Sequence, residues 1–109
     1  MNIQRDGIRL LNDELRHDFA KGQVVMTCGI AALGEDAVAR IVRAIKEYDD
    51  FNESNDPWNE HDFGAFEAEG AKIFFKIDYF DRTLSMHSPD PADSTVTERV
   101  LTIMLADEY

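Results

Sequence analysis

The stretch FGAFEAEGAKIFFKIDYFD, residues 63 to 81, restricts the fold more than any other part of the chain. In its second arm Ile73, Phe75, Ile77 and Tyr79 alternate with Lys72, Phe74, Lys76, Asp78 and Phe80, which is the period of a β-strand. Glu69-Gly70 between the arms reads as a turn, so the segment predicts a β-hairpin. Phe74 and Phe80 fall on the face opposite the other apolar residues. A strand of this kind asks for a core on one side and at least partial cover on the other.

The flanking sequence supplies the layers. Ile8, Leu11, Leu15 and Phe19 recur at spacings of three and four, which predicts an amphipathic helix over residues 3 to 19, stopped by Lys21-Gly22. VVMTCGI, residues 24 to 30, is short and rich in β-branched residues and reads as a strand with Val24, Met26, Cys28 and Ile30 on one face. Residues 35 to 48 carry a stripe of Val38, Ile41, Val42, Ile45 and Tyr48, with acids in the first turn and Lys46 in the last, and predict a second helix. Residues 50 to 62 read as a loop, Thr83 to Met86 as a third strand of the hairpin sheet, and SPDPAD as another loop. Thr95 to Glu98 matches a capping box ahead of a C-terminal helix bearing Val96, Val100, Ile103, Met104 and Leu105. The expected architecture is an α+β fold, a single domain over residues 1–109, with a small antiparallel sheet around a central hairpin packed against about three helices.

Charge narrows the function. The formal net charge is -11. Residues 1 to 48 hold seven bases and seven acids, whereas residues 49 to 70 hold eight acids (Asp49, Asp50, Glu53, Asp56, Glu60, Asp62, Glu67, Glu69) and no base. Such a balance disfavours nucleic acid and anionic membrane as direct ligands, because both need cationic contacts, and it favours a basic protein partner or a cation. Cys28 is the single cysteine, so no intramolecular disulfide and no clustered zinc thiolates are expected. With no apolar run near the ~20 residues of a membrane span, the expectation is a soluble cytoplasmic protein.

NDPWNEHDFGAF (55 to 66), KIDYFD (76 to 81), SPDPAD (88 to 93) and RVLTIMLADEY (99 to 109) together resemble a small bacterial family of unknown function. The likeness covers nearly the whole chain. Its members look to be single-domain proteins common on plasmids and other mobile elements. The resemblance implies no catalytic residues; it implies a setting in which small acidic proteins block host restriction or CRISPR defence.

Several chemistries can be weighed on the residues themselves. Aligning Asp50, Asn52 and Ser54 with the first ligand positions of an EF-hand puts Asn55 where glycine is required and His61 where the bidentate glutamate belongs, so the match fails. His61, between Glu60 and Asp62, has the neighbours of a general acid or base, although adjacent strand residues point to opposite faces. Cys28 in an apolar strand is a packing thiol before it is a nucleophile served by His61 or His87. Asp78 and Asp81 with Glu67 form either a carboxylate pair or, with Lys76 and Arg82 nearby, surface ion pairs. Trp58 in a polar loop either pins that loop to the core or anchors an interface.

The leading expectation is a non-enzymatic acidic protein, without cofactor, that occupies a basic, nucleic-acid-holding surface of another protein. Asp49, Asp50, Glu53, Asp56, Glu60, Glu67 and Glu69 supply the field and Trp58 the anchor. No catalytic or metal-ligating residue is assigned. The alternatives are a small metal-assisted hydrolase or cation-binding enzyme using Glu60, His61, Asp62 and Asp78, and a structural subunit that buries Phe74 and Phe80 in a homodimer.

Overall fold

The computed structural model describes residues 3–109, with side chains from Asp6 onward. Helix α1 (Ile3–His17) leads through a 3₁₀ turn at Phe19–Lys21 into strand β1 (Gln23–Met26), followed by the short helix α2 (Cys28–Ala31) and by α3 (Glu35–Glu47). Strands β2 (Phe63–Ala68), β3 (Ala71–Phe80) and β4 (Glu98–Leu105) complete a four-stranded sheet in the order β1-β4-β3-β2. The fold is α+β. Its sheet is mixed, because β1 runs parallel to β4 while the other two pairings are antiparallel.

The hairpin turns at Glu69-Gly70, as the sequence predicts. Ala68 and Ala71 close its ladder, and Glu69 and Gly70 both take positive φ (55° and 75°), the turn geometry whose twist suits paired strands. Arg40 of α3 grips the Glu69 carboxylate through Nε at 3.0 Å and Nη2 at 2.6 Å, tying the hairpin tip to the helix layer.

The inner face of the sheet carries Ile73, Phe75, Ile77, Leu101 and Ile103, which cluster with Leu15 of α1, Ile30 of α2 and Ile41 and Ile45 of α3. The apolar stripes read from α1 and α3 thus meet one sheet face, and Ile41 and Ile45 are wholly buried. Gly64 lies under this layer, where a Cβ would stand 2.2 Å from the Phe75 ring and 2.9 Å from the Tyr48 ring. Only glycine lets those two rings close over β2.

Three sequence expectations are corrected. The C-terminal helix is β4, a strand paired on both sides. A central strand buries residues of both faces, so its apolar positions run together and imitate helical spacing. The capping residues ahead of it are used differently, Thr97 donating to the Asp90 carbonyl at 2.8 Å and Thr95 binding Asp93. The third hairpin strand at Thr83 to Met86 is a turn: the Asp81 carboxylate accepts from the backbone N–H groups of Thr83 and Ser85, and only His87 bridges back to Phe80. The strand predicted to reach Ile30 ends at Met26, because Thr27 caps α2 by accepting from the Ile30 N–H; Cys28 is therefore an exposed helical residue and not a buried strand thiol.

Candidate partner-binding site

The acidic segment begins where α3 ends, and the end of α3 is held by a buried arginine. Arg16, 4% exposed, reaches across from α1 and donates through Nη1 to the carbonyls of Ile45 (3.0 Å), which also accepts the Tyr48 N–H at 3.3 Å, and of Tyr48 (2.6 Å), beyond the last turn. Its Nη2 donates to Asp13 at 3.1 Å. The guanidinium also lies 5.2 Å from the centre of the Phe51 ring.

Beyond Tyr48 the segment is built by side chains bonding to nearby backbone. Asn52 Oδ1 accepts from the N–H groups of Ser54 and Asn55, Asn55 Oδ1 accepts from the Asn52 N–H, and Asn55 Nδ2 donates to the Asp50 carbonyl at 2.8 Å. Asp56 is 6% exposed, and its carboxylate accepts the N–H groups of Glu60 (2.9 Å) and His61 (3.2 Å). This holds a stretch in which Asn59 and His61 both take positive φ.

The far end is locked to α1, β3 and β4. The His61 ring stacks on Phe51 with centroids 3.9 Å apart, its Nδ1 is 2.8 Å from Asp13 Oδ1, and its Nε2 is 3.7 Å from Asp56 Oδ2. Asn12, fully buried, donates to the Glu60 carbonyl (3.0 Å) and to Tyr79 Oη (2.7 Å), and accepts from Arg99 Nε (2.8 Å). Tyr79 in turn donates to the Glu60 carboxylate at 3.0 Å, and Arg99 donates to the Pro91 carbonyl. Burial pushes the Tyr79 hydroxyl well above the ordinary phenol range and lowers the Arg99 guanidinium. This network fixes the loop and keeps Tyr79 a neutral donor.

Burial, followed by the neighbouring Glu60, raises Asp62 above its usual range. A raised carboxyl is penalised when ionised in the fold, so the penalty is absent below the unfolded value of 3.8 and complete once the pH has risen past the folded one. Asp62→Asn is therefore expected to raise the melting temperature at pH 7 and to leave it unchanged near pH 3, as followed by circular dichroism.

The eight residues assigned from sequence divide into groups. Asp49, Asp50 and Glu53 are exposed, and Trp58 is 60% exposed within the same segment. Asp56 and Glu60 are turned inward as described, and Glu69 is engaged by Arg40. Glu67 is exposed on the sheet, opposite Lys72 in the ladder. Glu60, His61 and Asp62 do not converge: Glu60 faces Tyr79 and His61 faces Asp13. Asp78 pairs with Lys76 at 3.0 Å and Asp81 caps its own turn. Among the described residues no three His, Cys, Asp or Glu side chains gather as a metal site would require. None of them forms a helix long and apolar enough to cross a membrane.

Sequence reading missed Asn12, Asp13, Arg16, Tyr79 and Arg99. A signal was present in α1, where Asn12 and Arg16 sit four apart on the face that also carries Ile8 and Leu15, so polar groups occupy core-facing positions.

The sequence profile of a family of proteins of unknown function, DUF3768, matches residues 26–108. The chain belongs to the DUF3768 family. Comparisons with curated proteins and with solved structures return no match. The DUF3768 span takes in the whole acidic segment, the hairpin and β4, and begins after α1, the helix that contributes Asn12, Asp13 and Arg16.

Proposed function

We propose that this DUF3768 protein is a non-enzymatic acidic binding protein that docks on a positively charged protein surface built to hold a nucleic-acid backbone, and blocks that surface by occupancy. The observation that carries the reading is the division of labour inside residues 49–62. Asn52, Asn55 and Asp56 bind the loop's own backbone, while Asp49, Asp50 and Glu53 stay exposed on it. Charges on a backbone already ordered lose little further entropy on docking. Trp58, 60% exposed, supplies the aromatic surface on which interface energy concentrates.

Electrostatics sets the manner of binding. Eight acids without a base across residues 49 to 70 steer a cationic partner toward this side and repel free nucleic acid. The resemblance to proteins of plasmids and mobile elements supplies a setting in the cytoplasm, where the occupied surface belongs to a host restriction or CRISPR nuclease.

The test is affinity capture from host lysate at low and at high salt, followed by competition. A basic nucleic-acid-handling protein is expected to be captured at low salt, to be released as salt screens the contact, and to be displaced by duplex DNA or RNA. A captured partner that stays bound in the presence of saturating nucleic acid would count against occupancy of its nucleic-acid groove.

A further inference from the structure

The helices bury their apolar side chains on the inner face of the sheet. The outer face carries Phe63, Phe74, Phe80, Val100, Met104 and Val25, placed together by the ladder register. Tyr109 meets the Phe63 and Phe74 rings at one end of this face. The middle is open: Lys76 and Asp78 lie on the central strand β3, yet their side chains are 38% and 41% exposed, and Val25 on the edge strand is 44% exposed. Met104, toward the Tyr109 end, is 4% exposed, whereas Phe74, Phe80 and Val100 are only partly buried, so the described residues of this chain leave the face open around Lys76 and Asp78.

We propose that this outer face is the interface of a symmetric dimer of two copies of the chain, stacked face to face with their strands antiparallel. Charge selects a second copy over the basic partner of the acidic segment. The chain carries -11, but the outer face holds two bases, Lys72 and Lys76, against three acids, Glu67, Asp78 and Glu98, so it is close to neutral. Those charges are also ordered along β3, with Lys72 and Lys76 toward its start and Asp78 toward its end, where Glu98 pairs opposite Phe80. A two-fold axis across the strands at the level of Ile77 places Lys76 of each copy over Asp78 of the other and Phe74 over Phe80. Stacking with strands parallel would instead set like charges against one another.

The area is modest. Strands of 4, 6, 10 and 8 residues set ~4.8 Å apart present roughly 450 Å² of flat sheet per copy, or about 900 Å² in all, the size of a weak, reversible interface. The stacking leaves α1, α3 and the acidic loop they hold on the outside, so the proposal is independent of the function proposed above.

Sedimentation equilibrium of the 12.4 kDa chain tests it. The wild type is expected to pass from monomer to dimer within roughly 5 to 500 μM. Lys76→Asp and Asp78→Lys are each expected to weaken self-association at least ~10-fold, because each sets like charges face to face. An equimolar mixture of the two variants is expected to recover the dimer, since the reversed copies are again complementary. Far-UV circular dichroism and melting of each variant separate loss of association from loss of fold. A wild type that stays monomeric throughout, a folded variant that dimerises like the wild type, or a mixture that does not associate would each overturn the proposal.

Discussion

Replacing Arg16 by Met is expected to destabilise the protein by ~3 kcal/mol, one of the largest effects of a single substitution in this chain. Met keeps the length and apolar stem of the side chain but removes the donors. The Tyr48 carbonyl then loses its donor, the Ile45 carbonyl is left with the Tyr48 N–H at 3.3 Å, and Asp13 Oδ1 is left with His61 Nδ1 and no guanidinium, in a region where Arg16 is only 4% exposed. A buried acceptor left without a donor costs ~1–3 kcal/mol, and partial entry of water keeps the total below the sum. For a domain of this size ~3 kcal/mol corresponds to a fall of roughly 10 to 20 °C in melting temperature. Arg16→Lys is expected to recover less than half of the loss, because an ammonium is a point donor and cannot bridge helix carbonyls and Asp13 together. Arg16 Nε is buried without an acceptor, so the lysine variant gives up nothing there. Thermal melts of the two variants followed by circular dichroism check this, and a loss well under ~1 kcal/mol in the methionine variant would show that water replaces the guanidinium.

The elements that were legible in sequence are those whose local pattern has a single explanation. The stripe Ile41, Ile45, Tyr48 is helical at any register, and Glu69-Gly70 between two apolar runs admits a hairpin turn. RVLTIML has two explanations, because five apolar residues within seven satisfy both a helix face and a strand buried on both sides. The choice was made by long-range partners, β3 on one side and β1 on the other, and neither is visible within a local window. The same holds for Thr83 to Met86, where one carboxylate, Asp81, captures the backbone donors that a strand would need.

For the candidate site, sequence located the segment but not which of its side chains face outward. Asp56 and Glu60 differ from Asp49 and Glu53 only in tertiary context: Asp56 is drawn in by the positive-φ bend at Asn59 to His61, and Glu60 by Tyr79. The partners of Glu60, Asn12 and Tyr79, stand 48 and 19 residues away in the chain, beyond any local pattern. Composition shows a charged stretch; only packing separates charge that holds a loop from charge that faces a partner.

Reversing Asp49, Asp50 and Glu53 to Lys together is expected to lower affinity for the captured partner by ~100-fold or more at low salt. Three acids become three bases on an ordered loop, so attraction to a cationic surface turns into repulsion at close range, and steering is lost as well. All three residues are exposed and make no side-chain bond that holds the loop, so the melting temperature is expected to stay within a few degrees of wild type. Asp56→Asn supplies the contrast. It removes a buried carboxylate that accepts the Glu60 and His61 N–H groups, and is expected to lower stability while changing the outward charge little. Trp58→Ala is expected to cost the complex ~2 kcal/mol, or about 30-fold, if the ring is an anchor of the interface. The three variants separate field, scaffold and anchor within one titration series. Should the folded triple reversal bind with wild-type affinity, the acidic segment is a solvated loop and the proposed function fails, whatever Trp58 contributes.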